Sequence, residues 1–77
     1  MTHDAVAIAR DRQLIRSRGR RIREGARLTR PEVAQEIGVD SSSIYRWEHG
    51  QRQPRHADAR RYADLLRKLA KVVAPDA

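Results

Sequence analysis

The chain contains no cysteine. Disulfides, thiolate zinc sites and thiol catalysis are therefore excluded, and this usage fits a reducing compartment. No apolar run approaches the roughly 20 residues that span a bilayer. The longest near the N-terminus, Ala5-Val6-Ala7-Ile8-Ala9, follows no basic segment and is too short for a signal core. A soluble cytoplasmic protein is the expectation. Aromatic residues make up only 4% of the chain, and nowhere do they alternate with β-branched residues at period two, so half-buried strands are not expected. With 77 residues, 39% of them apolar, the chain has room for one domain and one small core. It has no room for an enclosed substrate chamber of the size many enzymes use.

Positive charge is what the chain has in abundance. Seventeen Lys and Arg stand against ten Asp and Glu, a formal net charge of +7. An excess this large on a small chain points to a polyanionic partner, nucleic acid first and acidic membrane second. All the basic residues except Lys68 and Lys71 are arginine. The planar guanidinium fork suits phosphate and guanine edges better than a lysine point charge does. A GC-rich genome would also raise the arginine-to-lysine ratio, but it does not account for the net charge.

The pattern along the chain is helical throughout, with tight turns. A first helical segment is expected from Asp4, a possible cap, to Gly25, with Ile8, Leu14, Ile15, Ile22 and Ala26 near one stripe and arginines crowding the rest. Gly19 weakens this segment by about 1 kcal/mol relative to alanine, which predicts two pieces with the part before about Gln13 frayed. A second helix opens where three start signals coincide: Thr29 as N-cap, Glu32 completing a capping box, and Pro31 in the first turn. Val33, Ala34 and Ile37 give it an apolar face, and Gly38 ends it. The third begins two residues later, with Asp40 as N-cap and Ser41-Ser42-Ser43 as first turn. Ile44, Trp47 and Glu48 then share one face, and Ser41, Ser42, Tyr45, Arg46 and His49 share the other. After Gly50, the polar loop Gln51-Arg52-Gln53-Pro54-Arg55 leads to a last helix from about His56 to Val72. Its predicted stripe is Ala59, Tyr62, Leu65 or Leu66, Leu69, and Val72 or Val73.

A short helix ending in Gly38, a hydrophobic corner residue in Val39 and a capped second helix make a helix–turn–helix pattern. Gly38 permits the positive φ of a sharp turn, Ala34 lets the helices cross closely, and Ile44 packs inward on Val33 and Ile37. The outward, serine-fronted face is then free to enter a major groove about 12 Å wide.

These residues also resemble a family. Arg23, Leu28-Thr29-Arg30-Pro31-Glu32-Val33-Ala34, Ile37-Gly38-Val39 and Ser42-Ser43-Ile44-Tyr45-Arg46-Trp47-Glu48-His49-Gly50, followed by Pro54, are similar to the Xre-like helix-turn-helix family of lambda repressor and Cro. The resemblance spans about Ile15 to Leu69. It implies an all-α, compact bundle of four to five helices containing the helix-turn-helix, with a positioning helix at about 30–37 and a recognition helix at about 41–49. The DNA-binding domain would occupy 13–73, between an N-terminal extension of helical pattern at 1–12 and a tail at 74–77. It further implies that Arg23 pairs with Glu48, tying the first helix to the reading head. The position of Glu48 on the inward face beside Ile44 independently calls for such a partner. The family usually places a large aliphatic residue where this chain has Gly19, which predicts a packing gap there.

By position, Ser41, Ser42, Tyr45 and Arg46 are expected to reach base edges, with Arg46 bidentate on guanine. Arg30, Ser43, Gln51, Arg52 and Arg55 are expected on phosphates. The expected partner is double-stranded DNA, bound by a homodimer on a two-fold-related site; no dimer patch stands out, and Leu65, Leu69, Val72 and Val73 are candidate contacts between copies, with core packing as their favoured use. Catalytic residues, a metal site, cofactors, a membrane and a small-molecule ligand are not expected. Serines after Asp40 are ordinary helix starters, and the histidine spacings match no ligand motif. RNA is disfavoured because Trp47 points inward. The expected role is a minimal single-domain regulator of phage, prophage or mobile-element type, Cro-like or excision-control. The alternative on the same fold is an antitoxin or other interaction module with DNA binding secondary.

Overall fold

The computed structural model describes residues 2–72, with side chains from Ala5 onward. Within these residues the chain is all-α. Helix α1 (Thr2–Leu14) runs through a π-helical turn (Ile15–Gly19) into α2 (Arg20–Gly25). Helices α3 (Arg30–Ile37), α4 (Ser41–Glu48) and α5 (His56–Val72) follow. The expected tail at 74–77 and Val73 lie outside the described residues.

The first segment is not broken at Gly19. Leu14, Gly19 and Arg20 all keep right-handed helical backbone, so the rod is continuous and bends its register through the π turn. The residues on its buried line explain why. Asp11, Ile15, Gly19 and Arg23 are all buried, at a strict spacing of four. An α-helix has 3.6 residues per turn, so each step of four drifts by about 40°. Over three steps the line would wind about 120° around the rod and leave the core. One π turn absorbs about one extra residue and brings the line back to a single face. The predicted stripe is corrected accordingly: Ile15 is in the core, but Ile8, Leu14, Ile22 and Ala26 are only half-buried at its edge. Asp4 also falls inside the helix and not ahead of it, so the backbone places it in no N-cap position.

The expected gap at Gly19 is likewise filled. A Cβ built there would stand 3.5 Å from Tyr62 Oη and 3.6 Å from Leu66 Cδ1. Side chains of α5 have moved in where the family pattern has an aliphatic residue from α1.

Helices α2, α3 and α4 end in one way. A left-handed residue (Arg27, Gly38 and Gly50) reverses the chain. The next amide then reaches back five residues: Leu28 to the Arg23 carbonyl at 3.1 Å, Val39 to Ala34 at 2.9 Å and Gln51 to Arg46 at 2.9 Å. The starts of α3 and α4 are side-chain capped. Thr29 and Glu32 form the full capping box, and Asp40 accepts from the Ser43 amide at 2.8 Å.

The core comprises Ile15, Val33, Ala34, Ile37, Ile44, Trp47, Ala59, Tyr62 and Leu66. In α5 the buried stripe is Ala59, Tyr62, Ala63 and Leu66. Leu65 and Leu69 are half-buried, and Val72, predicted to continue the stripe, is 80% exposed. Polar clasps join α5 to the rest. Arg61 Nε donates to the Ile37 carbonyl at 3.1 Å, satisfying an acceptor at the end of α3. Arg67 donates to the buried Asp11 at 2.8 Å, tying α5 to α1.

Candidate nucleic-acid interface

Helix α4 has eight residues and is therefore about 12 Å long. Its inward face is set by Ile44, Trp47 and Glu48, all buried. The Glu48 side chain is fully buried and the Arg23 side chain is 5% exposed. A carboxylate at this depth must find donors. Arg23 donates to both of its oxygens, Nε at 2.7 Å and Nη2 at 3.0 Å, and Tyr62 Oη donates at 2.7 Å. Arg23 Nη1 meanwhile holds the Leu28 carbonyl at 2.9 Å, ahead of α3. Four segments (α2, the α2–α3 turn, α4 and α5) thus meet at one charge, and no buried side-chain nitrogen or oxygen among the described residues lacks a partner. The hydrogen bonds to Glu48 raise the Arg23 pKa despite the opposing cost of its burial. Burial first, and the bond to Glu48 second, push the Tyr62 phenol far above its ordinary value. Helical spacing marks Tyr62 only as a stripe residue. Its role as third member of the cluster depends on α5 crossing Gly19, which spacing within one helix does not reveal.

The outward face carries Ser42, Tyr45, Arg46 and His49, all exposed. Ser41 and Ser43 flank it and are half-buried. The helix ends at Glu48, one residue earlier than expected, and His49 serves as its C-cap. Ser42 Oγ donates to Asp40 Oδ1 at 3.0 Å, so its own oxygen remains available as an acceptor. The Asp40 carboxyl is held below the usual range, first by the Ser43 amide.

Tyr45 has two side-chain neighbours on its ring. The His49 ring stacks on it with centroids 3.9 Å apart, and the Arg30 guanidinium lies 5.0 Å from its centroid on a cation–π contact. Arg30 from α3 and Tyr45 from α4 are thereby brought together across the helix pair. The i, i+4 spacing of Tyr45 and His49 carried part of this signal, whereas the reach of Arg30 needed the crossing of α3 over α4. Gln51, Arg52 and Arg55 lie exposed on the loop beyond α4, and Pro54 beside them is buried.

An all-helical body presenting a capped helix from a tight helix–turn–helix corner is the architecture of a DNA-binding domain. The chain belongs to the helix-turn-helix domain family, whose profile matches residues 20–69. This agrees with the Xre-like resemblance of its motifs. No curated protein and no solved structure matches the chain. The family is one of DNA-binding domains. No helix among the described residues is long and apolar enough to cross a membrane.

Proposed function

We propose that the protein is a sequence-specific regulator that reads duplex DNA by inserting α4 into the major groove. The observation that carries this reading is the division of α4 into two faces. Ile44, Trp47 and Glu48 are locked into the body, while Ser42, Tyr45 and Arg46 are presented to solvent from the same eight residues. A rigid helix with short polar residues at its leading end fits the groove, and its orientation is fixed before DNA arrives.

In this reading Arg46 donates two hydrogen bonds to guanine O6 and N7. Ser41 and Ser42 contact neighbouring base edges, and Tyr45 presents its edge to a thymine methyl or a phosphate. Arg30, Ser43, Gln51, Arg52 and Arg55 hold the flanking phosphates. The Tyr45 ring beneath Arg30 limits the rotamers open to that guanidinium, so the phosphate contact is preorganised. The Xre-like motifs support a regulator of the Cro or excision-control kind, acting as a dimer on a two-fold-related site.

Selection from random oligonucleotides with the purified protein tests the reading. It should enrich one short motif, repeated with two-fold symmetry. Absence of any enriched sequence, together with a tightly co-purifying small protein, would overturn it in favour of an interaction module.

A further inference from the structure

The rod formed by α1 and the π turn carries cations whose placement the helix-turn-helix pair does not explain. Arg12 donates through Nε to the Pro54 carbonyl at 3.0 Å, which ties its guanidinium to the α4–α5 loop. Arg16 lies directly over Gly50: a Cβ added there would fall 2.5 Å from the guanidinium carbon. Glycine leaves room for the movable end of the Arg16 side chain there, and its φ of 72° is one that suits glycine. Arg12 and Arg16 share a cleft of about 220 Å³ with Arg52, Gln13 and Gln53, and no carboxylate lines it. Among the described residues none of the three arginines makes an ion pair, while Arg20, Arg23, Arg60, Arg61 and Arg67 all do.

Three guanidinium groups gathered around one cleft repel each other unless an anion joins them. The side-chain amides of Gln13 and Gln53 add further donors, and the arginine forks match phosphate oxygens. The cleft opens beside the loop that follows α4. Arg12 and Arg16 lie on the N-terminal rod, ahead of the matched residues 20–69, and Arg52 lies within them, so the cleft joins the rod to the loop after α4.

We infer that the cleft formed by Arg12, Arg16 and Arg52 binds a backbone phosphodiester of the DNA, extending the footprint from α4 onto the N-terminal rod. The inference rests on the DNA-binding reading above and deepens it. The π turn that keeps Ile15 and Gly19 on the core face also sets the angle at which Arg16 leaves the rod.

The test compares wild type, Arg16→Gln, Arg16→Lys and Arg30→Ala on the selected duplex. It measures affinity across a salt series and maps phosphates by ethylation interference. Arg16 is exposed, so its variants should keep the wild-type thermal midpoint. The expected result is that Arg16→Gln lowers the slope of log affinity against log salt by about 0.9. It should also abolish interference at one phosphate, leave the ranking of sites unchanged, and be largely rescued in slope by Arg16→Lys. A wild-type slope and interference pattern in Arg16→Gln, with a reduced slope in Arg30→Ala, would overturn this inference and leave the DNA-reading function standing. Failure of the wild-type protein to bind any duplex would overturn both.

Discussion

The Tyr62 hydroxyl crosses the face of Gly19, 3.5 Å from where a Cβ on that glycine would stand, and ends on Glu48 at 2.7 Å. One small residue in the rod therefore opens the passage through which α5 reaches the buried end of α4. The passage has room for a methyl group, because 3.5 Å and the next contacts at 3.6 and 3.8 Å are ordinary van der Waals separations. Gly19 also has a helical φ of −56°. Gly19→Ala should therefore stabilise the fold by about 0.5–1 kcal/mol through backbone entropy. Gly19→Leu should destabilise it by about 1–3 kcal/mol by displacing Tyr62 and Leu66. Urea denaturation of the two variants checks both signs.

Arg23 and Glu48 form a pair almost wholly withdrawn from water, with the Arg23 side chain 5% exposed. Replacing one partner strands the other, so Arg23→Met or Glu48→Leu should each cost about 3–5 kcal/mol. The double variant should cost much less than the sum, because no lone charge remains. A double-mutant cycle by chemical denaturation measures the coupling. Additive losses would mean that the pair does not hold α4 in the way the geometry indicates.

Tyr62 gives the fold an alkaline limit. Burial and the neighbouring carboxylate keep its phenol protonated in the folded chain, whereas the unfolded chain releases that proton near pH 10. Above that pH the unfolded state holds fewer protons than the folded state, so stability falls as pH rises; below it the contribution is complete. The loss should approach about 1.4 kcal/mol per pH unit above pH 10. Tyr62→Phe should be less stable at pH 7, by about 1.5–3 kcal/mol for a hydrogen bond to a charged group, but flatter above pH 10. Denaturation midpoints between pH 7 and 11 distinguish the two profiles.

The elements carried by local chemistry were readable in the sequence. Thr29, Pro31 and Glu32 mark the start of α3 and Asp40 that of α4, because each capping interaction spans only three residues. The two faces of α4 follow from helical spacing alone. What could not be read depends on neighbours distant in sequence. Gly19 signals a weak helix until Tyr62 and Leu66 are known to cover it. Asp11 resembles any surface acid until Arg67, 56 residues away, reaches it. The strict four-residue step from Asp11 to Arg23 did contain the π turn, but polar residues at both ends hid it from a search for apolar stripes. Arg12 and Arg16 were indistinguishable from the other arginines of the rod, because only the loop at Gly50 singles them out.

Whether α4 reads bases, with Arg46 as its main reader, is decided by Arg46→Ala on a panel of duplexes that differ at single base pairs. Discrimination at one base step should fall by about 1–3 kcal/mol while preferences at the other positions survive. Arg30→Ala, measured on the same panel, should weaken every duplex alike. If Arg46→Ala leaves the relative affinities of the panel as they are in the wild type, the base-reading role assigned to this helix face is contradicted.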